Sequence, residues 1–209
     1  MKKILPIIIL ITFIVATYLY FGIEFPDEMA SHWNQYGEVD GYMSKFWSLY
    51  LMPVITLVIY LIFLLVPKID PLKRNIEKFR KYFDRFILLI VLFLIYIYIL
   101  TILWNLGVSY SMTGAIIPGI VVLLLFAGDL TKKSKRNWFI GIRTPWTLSS
   151  DEVWEKTNKL GGNLIQASAA LSCLGIIFPN LFVWFLLIPL LASTTITLIY
   201  SYFIFRNLS

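Results

Sequence analysis

A chain of 209 residues that is 59% hydrophobic and 14% charged carries more apolar surface than a water-soluble domain of that length can bury, which excludes the soluble classes and indicates a polytopic membrane protein. The formal net charge of +6 does not imply nucleic-acid binding, because the basic residues gather at the ends of apolar runs. The single Cys173 lies within such a run and excludes an intramolecular disulfide.

Hydropathy predicts an all-α integral membrane protein with six transmembrane helices. The first, Ile4 to Ile23, follows Met1-Lys2-Lys3 and has no small-x-small cleavage site, so it reads as an uncleaved span rather than a signal peptide. A loop over 24–46 comes next, with Glu24, Asp27, Glu28, Glu38 and Asp40 against Lys45 alone, and with Gly37 and Gly41 at turn positions. It is longer than a connector needs, which marks it as functional or disordered. The second span runs from Trp47 to Val66. Leu72, Ile76, Phe79, Phe83 and Phe86 then mark one helical face, an amphipathic lead-in attracted to anionic lipid. The third and fourth spans run from Phe86 to Trp104 and from Val108 to Gly128.

The segment from Lys135 to Gly162 is the polar centre of the chain. Thr144 before Pro145 is biased to extended backbone. Ser149 with Glu152 fits a capping box that starts a helix near Ser150. Glu152 with Lys156 and Glu155 with Lys159 are favourable i,i+4 pairs. Val153, Thr157 and Leu160 share a face, and Gly161-Gly162 supplies a stop. Trp138, Trp146 and Trp154 suit the boundary between lipid and water. The segment therefore reads as a loop plus a short cytoplasmic interfacial helix before span five. That span, Asn163 to Phe178, is short for a hydrocarbon core of about 30 Å, so it either tilts little or borrows residues from the preceding helix. Pro179-Asn180 forms a tight turn into the sixth span, Leu181 to Phe205.

All the Lys and Arg residues except Lys45 fall on one side of these spans, so both termini and the motif segment are expected to face the cytoplasm. No Asp, Glu, Lys, Arg or His falls inside a predicted span, which counts against an ion-coupled transporter. Gln166, Ser168, Ser172 and Ser193 to Thr195 are expected to join helices by hydrogen bonds.

The chemistry available is sparse. His32 with Glu24, Asp27, Glu28 and Asp40 lacks metal-ligand spacing, and a solvated acidic loop is the simpler reading. No Gly-x-Ser-x-Gly elbow offers a nucleophile, and Asp151, Glu152 and Glu155 match a helix dipole. No enzyme activity, cofactor or metal is expected. Arg143 offers either a bidentate clamp on a carboxylate or phosphate, or a contact with lipid head groups.

From Asn137-Trp138-Phe139-Ile140-Gly141-Ile142-Arg143-Thr144-Pro145-Trp146-Thr147-Leu148 through Val153-Trp154 to Asn158, the chain resembles the Sdp immunity protein (SdpI) family. The loop motif Pro26-Asp27, His32-Trp33-Asn34, Gly37-Glu38-Val39-Asp40-Gly41 and Lys45 resembles the DUF1648-like module that often precedes it, with Phe25 where that module usually has Leu. The resemblance implies a six-span prokaryotic cell-membrane protein, built as a two-span module over 1–66 and a four-span module over 67–209 with its motif loop at 129–162. Its best-studied member protects the producing cell from a secreted, membrane-depolarising peptide and holds a cytoplasmic transcriptional repressor at the membrane. Ligand contact is accordingly expected on Asp27, His32, Trp33, Asn34, Asp40 and Lys45. Partner contact is expected on Trp138, Gly141, Arg143, Thr144, Pro145, Trp146 and Trp154. The partners expected are membrane lipids, a toxin peptide outside and a repressor inside. The alternative is a transporter or flippase for an amphipathic peptide or lipid.

Overall fold

A computed structural model describes residues 4–208; Lys2 and Lys3, part of the charge argument, lie outside them. Six helices are long and apolar enough to cross a membrane. They are α1 (Ile4–Gly22), α2 (Lys45–Ile69), α4 (Arg80–Asn105), α5 (Met112–Lys133), α7 (Asp151–Ser172) with its short continuation α8 (Leu174–Ile177), and α9 (Phe182–Leu208). Shorter helices are α3 (Lys73–Lys78) and α6 (Pro145–Ser149), and a 3-10 turn over Pro179–Leu181 provides the expected tight connection. Many apolar side chains point outward, Phe21, Ile188 and Leu191 among them, as a lipid-facing surface requires.

The first connector corrects the all-α expectation. It forms an antiparallel hairpin, β1 (Glu28–Trp33) with β2 (Val39–Ser44), with bulges around His32. Gly37 turns it at φ +81, and the Asn34 side-chain oxygen accepts from the Tyr36 and Glu38 amides at 2.9 and 3.1 Å. Gly41 is required opposite His32, because a Cβ there would lie 2.9 Å from the His32 Cβ. The edge of β1 is closed by Asn105, which accepts from the Ala30 amide at 2.8 Å and donates to the Ala30 carbonyl at 2.9 Å.

At the other end of the bundle, Ile76, Phe79 and Phe83 are buried. They pack with Leu5 and Ile9 of α1, Tyr60 and Val66 of α2, Leu130 of α5 and Ile140. The face expected to lie on lipid is thus largely a core face, and its basic residues point the other way.

The motif segment differs most from expectation. The helix expected to stop at Gly161-Gly162 does not: α7 runs unbroken from Asp151 to Ser172, so the span borrows its length from the preceding helix, and the short α6 lies just before it. Two glycines inside a helix cost about 1 kcal/mol each relative to Ala, and close packing offsets this. A Cβ on Gly162 would lie 2.4 Å from the Lys132 Cγ and 2.5 Å from the Gly128 carbonyl oxygen, so α5 and α7 meet backbone to backbone there. The helix cap is Ser150, whose hydroxyl accepts from the Val153 amide, and not Ser149. Glu152 pairs with Lys156 at 2.7 Å as expected, but Glu155 reaches Lys135 at 3.1 Å instead of Lys159.

Helices α2, α4 and α5 also extend past the predicted spans, so Lys68, Arg80, Asp84, Asp129 and Lys132 are helical, all at the motif end. Gln166 joins α7 to α5 by accepting from Lys132 Nζ at 2.6 Å and donating to Asp129 at 3.2 Å. Ser168 meets Ser193 at 3.2 Å between α7 and α9.

Candidate functional site

The motif segment folds into a lobe held by buried amides. The Asn137 side-chain oxygen accepts from the Phe139 and Ile140 amides at 2.8 and 2.7 Å, while its nitrogen donates to the Lys135 and Ile140 carbonyls. Asn158 repeats the device from α7: its oxygen accepts from the Ile142 amide at 2.7 Å and its nitrogen donates to the Trp154 carbonyl. Gly141 sits between them at φ +109, where a Cβ would come within 2.6 Å of the Asn158 oxygen. Thr144 and Thr147 form a reciprocal capping box with Pro145 in the first turn of α6, and the Thr144 hydroxyl donates to Ser201 of α9 at 3.1 Å. Trp154 is buried, and its indole N–H donates to the Ser134 carbonyl at 3.1 Å.

Gly141, Thr144 and Trp154 therefore build the lobe from inside. Trp138 and Phe139 face outward, Arg143 is exposed, and Trp146 packs half-buried against Tyr202 at 5.2 Å. The side chains that sequence reasoning missed are the polar ones underneath, Asp70, Asn137 and Asn158. Asp70 precedes Pro71, a turn signal that was legible in the sequence.

The hairpin roofs a second candidate site at the opposite end. A cavity of about 280 Å³ lies beneath it, walled by Trp33, Met43, Trp47, Met52, Met112 and Ile116. Aromatic and Met walls adapt to apolar side chains of varied shape. The Trp33 ring packs edge-on against Trp104 at 5.6 Å, and its buried indole N–H has no hydrogen-bond partner among the described residues.

His32 and Asn34 also line the cavity, and His32 Nδ1 contacts the Asp40 carboxylate on the exposed rim. Asp27 and Lys45 stand apart. The Lys45 amide donates to the Asp27 carbonyl at 2.8 Å, and Lys45 Nζ donates to the Ile23 carbonyl at 2.9 Å, 5.3 Å from the Tyr20 ring centroid. That lysine ties the end of α1 to the start of α2. Nearby, burial pushes the Tyr110 phenol above its ordinary pKa, and its hydroxyl donates to the Leu100 carbonyl.

Residues 133–201, which hold the lobe, α7 and most of α9, match the SdpI/YfhL protein family. That part of the chain is SdpI/YfhL-like. Residues 7–57, which hold α1, the hairpin and the start of α2, match a domain of unknown function, DUF1648. The chain is also 25% identical over 210 residues to the Immunity protein SdpI of Bacillus subtilis (strain 168), a match covering 100% of this chain and 98% of that relative. No solved structure matches. With six candidate spans and this likeness, the chain is a multi-pass cell-membrane protein of a prokaryote.

Proposed function

We propose that the chain is an immunity protein that protects its cell from a secreted, membrane-active peptide, captured at the hairpin end, which faces outward. The observation that carries this reading is the end-to-end likeness to a protein named for immunity. The cavity beneath the hairpin supports the location: it joins an apolar interior, which suits a side chain of an amphipathic peptide, to a rim bearing Glu38 and Asp40, which suits a cationic one. At the inward end, the exposed Trp138 and Phe139 offer aromatic anchors for a cytoplasmic protein, the class to which a sequestered repressor belongs.

The test is expression in a sensitive bacterial host challenged with a panel of cationic, membrane-depolarising peptides. Survival should rise with the intact chain and fall back with Trp33→Ala, or with Met52→Trp, which fills the cavity, at unchanged membrane levels. No protection against any peptide by the intact chain overturns the reading. Energy-dependent efflux of a labelled peptide from reconstituted vesicles points instead to a transporter.

A further inference from the structure

A crevice of about 470 Å³ opens between α7 and α9 directly below the motif lobe. Its mouth holds Arg143 and Thr144, and its walls are Ile165 on α7 with Leu190, Thr194 and Leu198 on α9. Gly161 contributes no side chain, and the Ser168–Ser193 hydrogen bond ties the two helices at its inner edge. Leu190 and Leu198 are eight positions apart on α9, about 12 Å at 1.5 Å per residue. The crevice is therefore an elongated apolar slot with a cation at one end.

The charge at that end has no carboxylate partner among the described residues. Lys132, Lys135, Arg136 and Lys156 meet Asp129, Glu155, Asp151 and Glu152 respectively. Arg143 meets only the Trp138 carbonyl, through one terminal amino group, and no carboxylate among the described residues. That bond orients the guanidinium and leaves its remaining N–H groups free for a bidentate anion. An anion alone would leave the apolar walls empty, and an alkane alone would leave the cation unpaired.

We infer that this crevice binds an anionic phospholipid, with the phosphate on Arg143 and the upper part of one acyl chain along Ile165, Leu190 and Leu198. This site is separate from the hairpin cavity and does not depend on the immunity reading. A bound lipid would cover the seam where α7 and α9 flank the lobe, with its head group beside Trp138.

The experiment uses the full chain purified in a mild neutral detergent and titrated with dioleoylphosphatidylglycerol, with bound lipid read by native mass spectrometry. The intact chain should retain one tightly held lipid. Arg143→Ala should weaken it about ten-fold or more, since a charge-assisted hydrogen bond contributes about 1.5–3 kcal/mol. Arg143→Lys should recover part of the loss. Thr194→Trp should weaken binding by filling the slot without altering charge, and Arg85→Ala, an exposed cation elsewhere at the same end, should leave it unchanged. Lipid retention by Arg143→Ala and by Thr194→Trp equal to that of the intact chain overturns the inference. So does displacement of the lipid by millimolar glycerol phosphate with no effect of Thr194→Trp, because that marks a site for soluble phosphate.

Discussion

The Asp70 carboxylate accepts from the Trp138 amide at 2.9 Å, joining the end of α2 to the motif lobe across 68 residues of chain. Its second oxygen accepts from the Leu72 amide at 2.6 Å, and the residue is only 2% exposed. One carboxylate thus fixes both the turn that follows α2 and the loop that presents Trp138. Replacing it by Ala leaves two amides without their partner, at about 1–3 kcal/mol for each that stays dry. Asp70→Ala is expected to lower the thermal midpoint in detergent and to open the chain to protease near Trp138. Asp70→Asn should retain part of the effect through its one acceptor oxygen.

The three tryptophans of the motif region should separate cleanly on mutation. Trp154 is fully packed, so Trp154→Ala is expected to destabilise by about 3–5 kcal/mol, while Trp154→Phe loses mainly the bond to Ser134, about 1 kcal/mol. Trp138 is 51% exposed, and Trp138→Ala should leave thermal stability within about 0.5 kcal/mol of the native chain. If the proposed cytoplasmic docking is correct, a protein crosslinked to the intact chain in the native cell should be lost with Trp138→Ala. Equal thermal shifts for the two Ala variants contradict the assignment of one as core and the other as surface.

Gly162 tests the contact between α5 and α7. A side chain there strikes the backbone of α5 at the Gly128 carbonyl, which cannot rotate away. Gly162→Leu should separate the helices, break the Gln166 bonds to Asp129 and Lys132, and lower folded yield. Gly114→Ala, where the nearest atom is the Ser111 hydroxyl at 3.4 Å, should be tolerated. Fluorescence size-exclusion profiles of the two variants distinguish the outcomes.

Asn105 tests the hairpin by itself. It closes the free edge of β1 through both groups of Ala30. Asn105→Ala should release the hairpin to proteolysis and reduce peptide protection, with little change in the global thermal midpoint because the bundle core at the other end is untouched. Hydrogen exchange at the Ala30 amide gives the direct reading.

Much of the bundle was legible because lipid solvates apolar side chains on every face, so hydropathy alone locates a span without knowledge of its neighbours. The hairpin was not. Glu28-Met29-Ala30-Ser31-His32-Trp33 lacks clean alternation, and what holds it flat is Asn105 on another element. Gly161-Gly162 was misread for a related reason. A glycine pair signals either a helix end or a close approach, and the atoms that decide belong to Ile142 and Thr197 at Gly161 and to Lys132 and Gly128 at Gly162. The same holds at the candidate sites. The motif residues stood out by type, but Trp154 and Thr144 turn inward and Trp138 outward, and only packing against α5 and α9 sorts them.

Helix α5 touches both ends of this arrangement. Met112 and Thr113 in its first turn wall the hairpin cavity, and Ser134, which caps its last turn, receives the Trp154 indole in the lobe. Pro118, near the start of the helix, has no N–H for the ladder and leaves one soft turn between those two contacts. A push on Thr113 would be partly absorbed at that turn instead of being handed whole to Ser134.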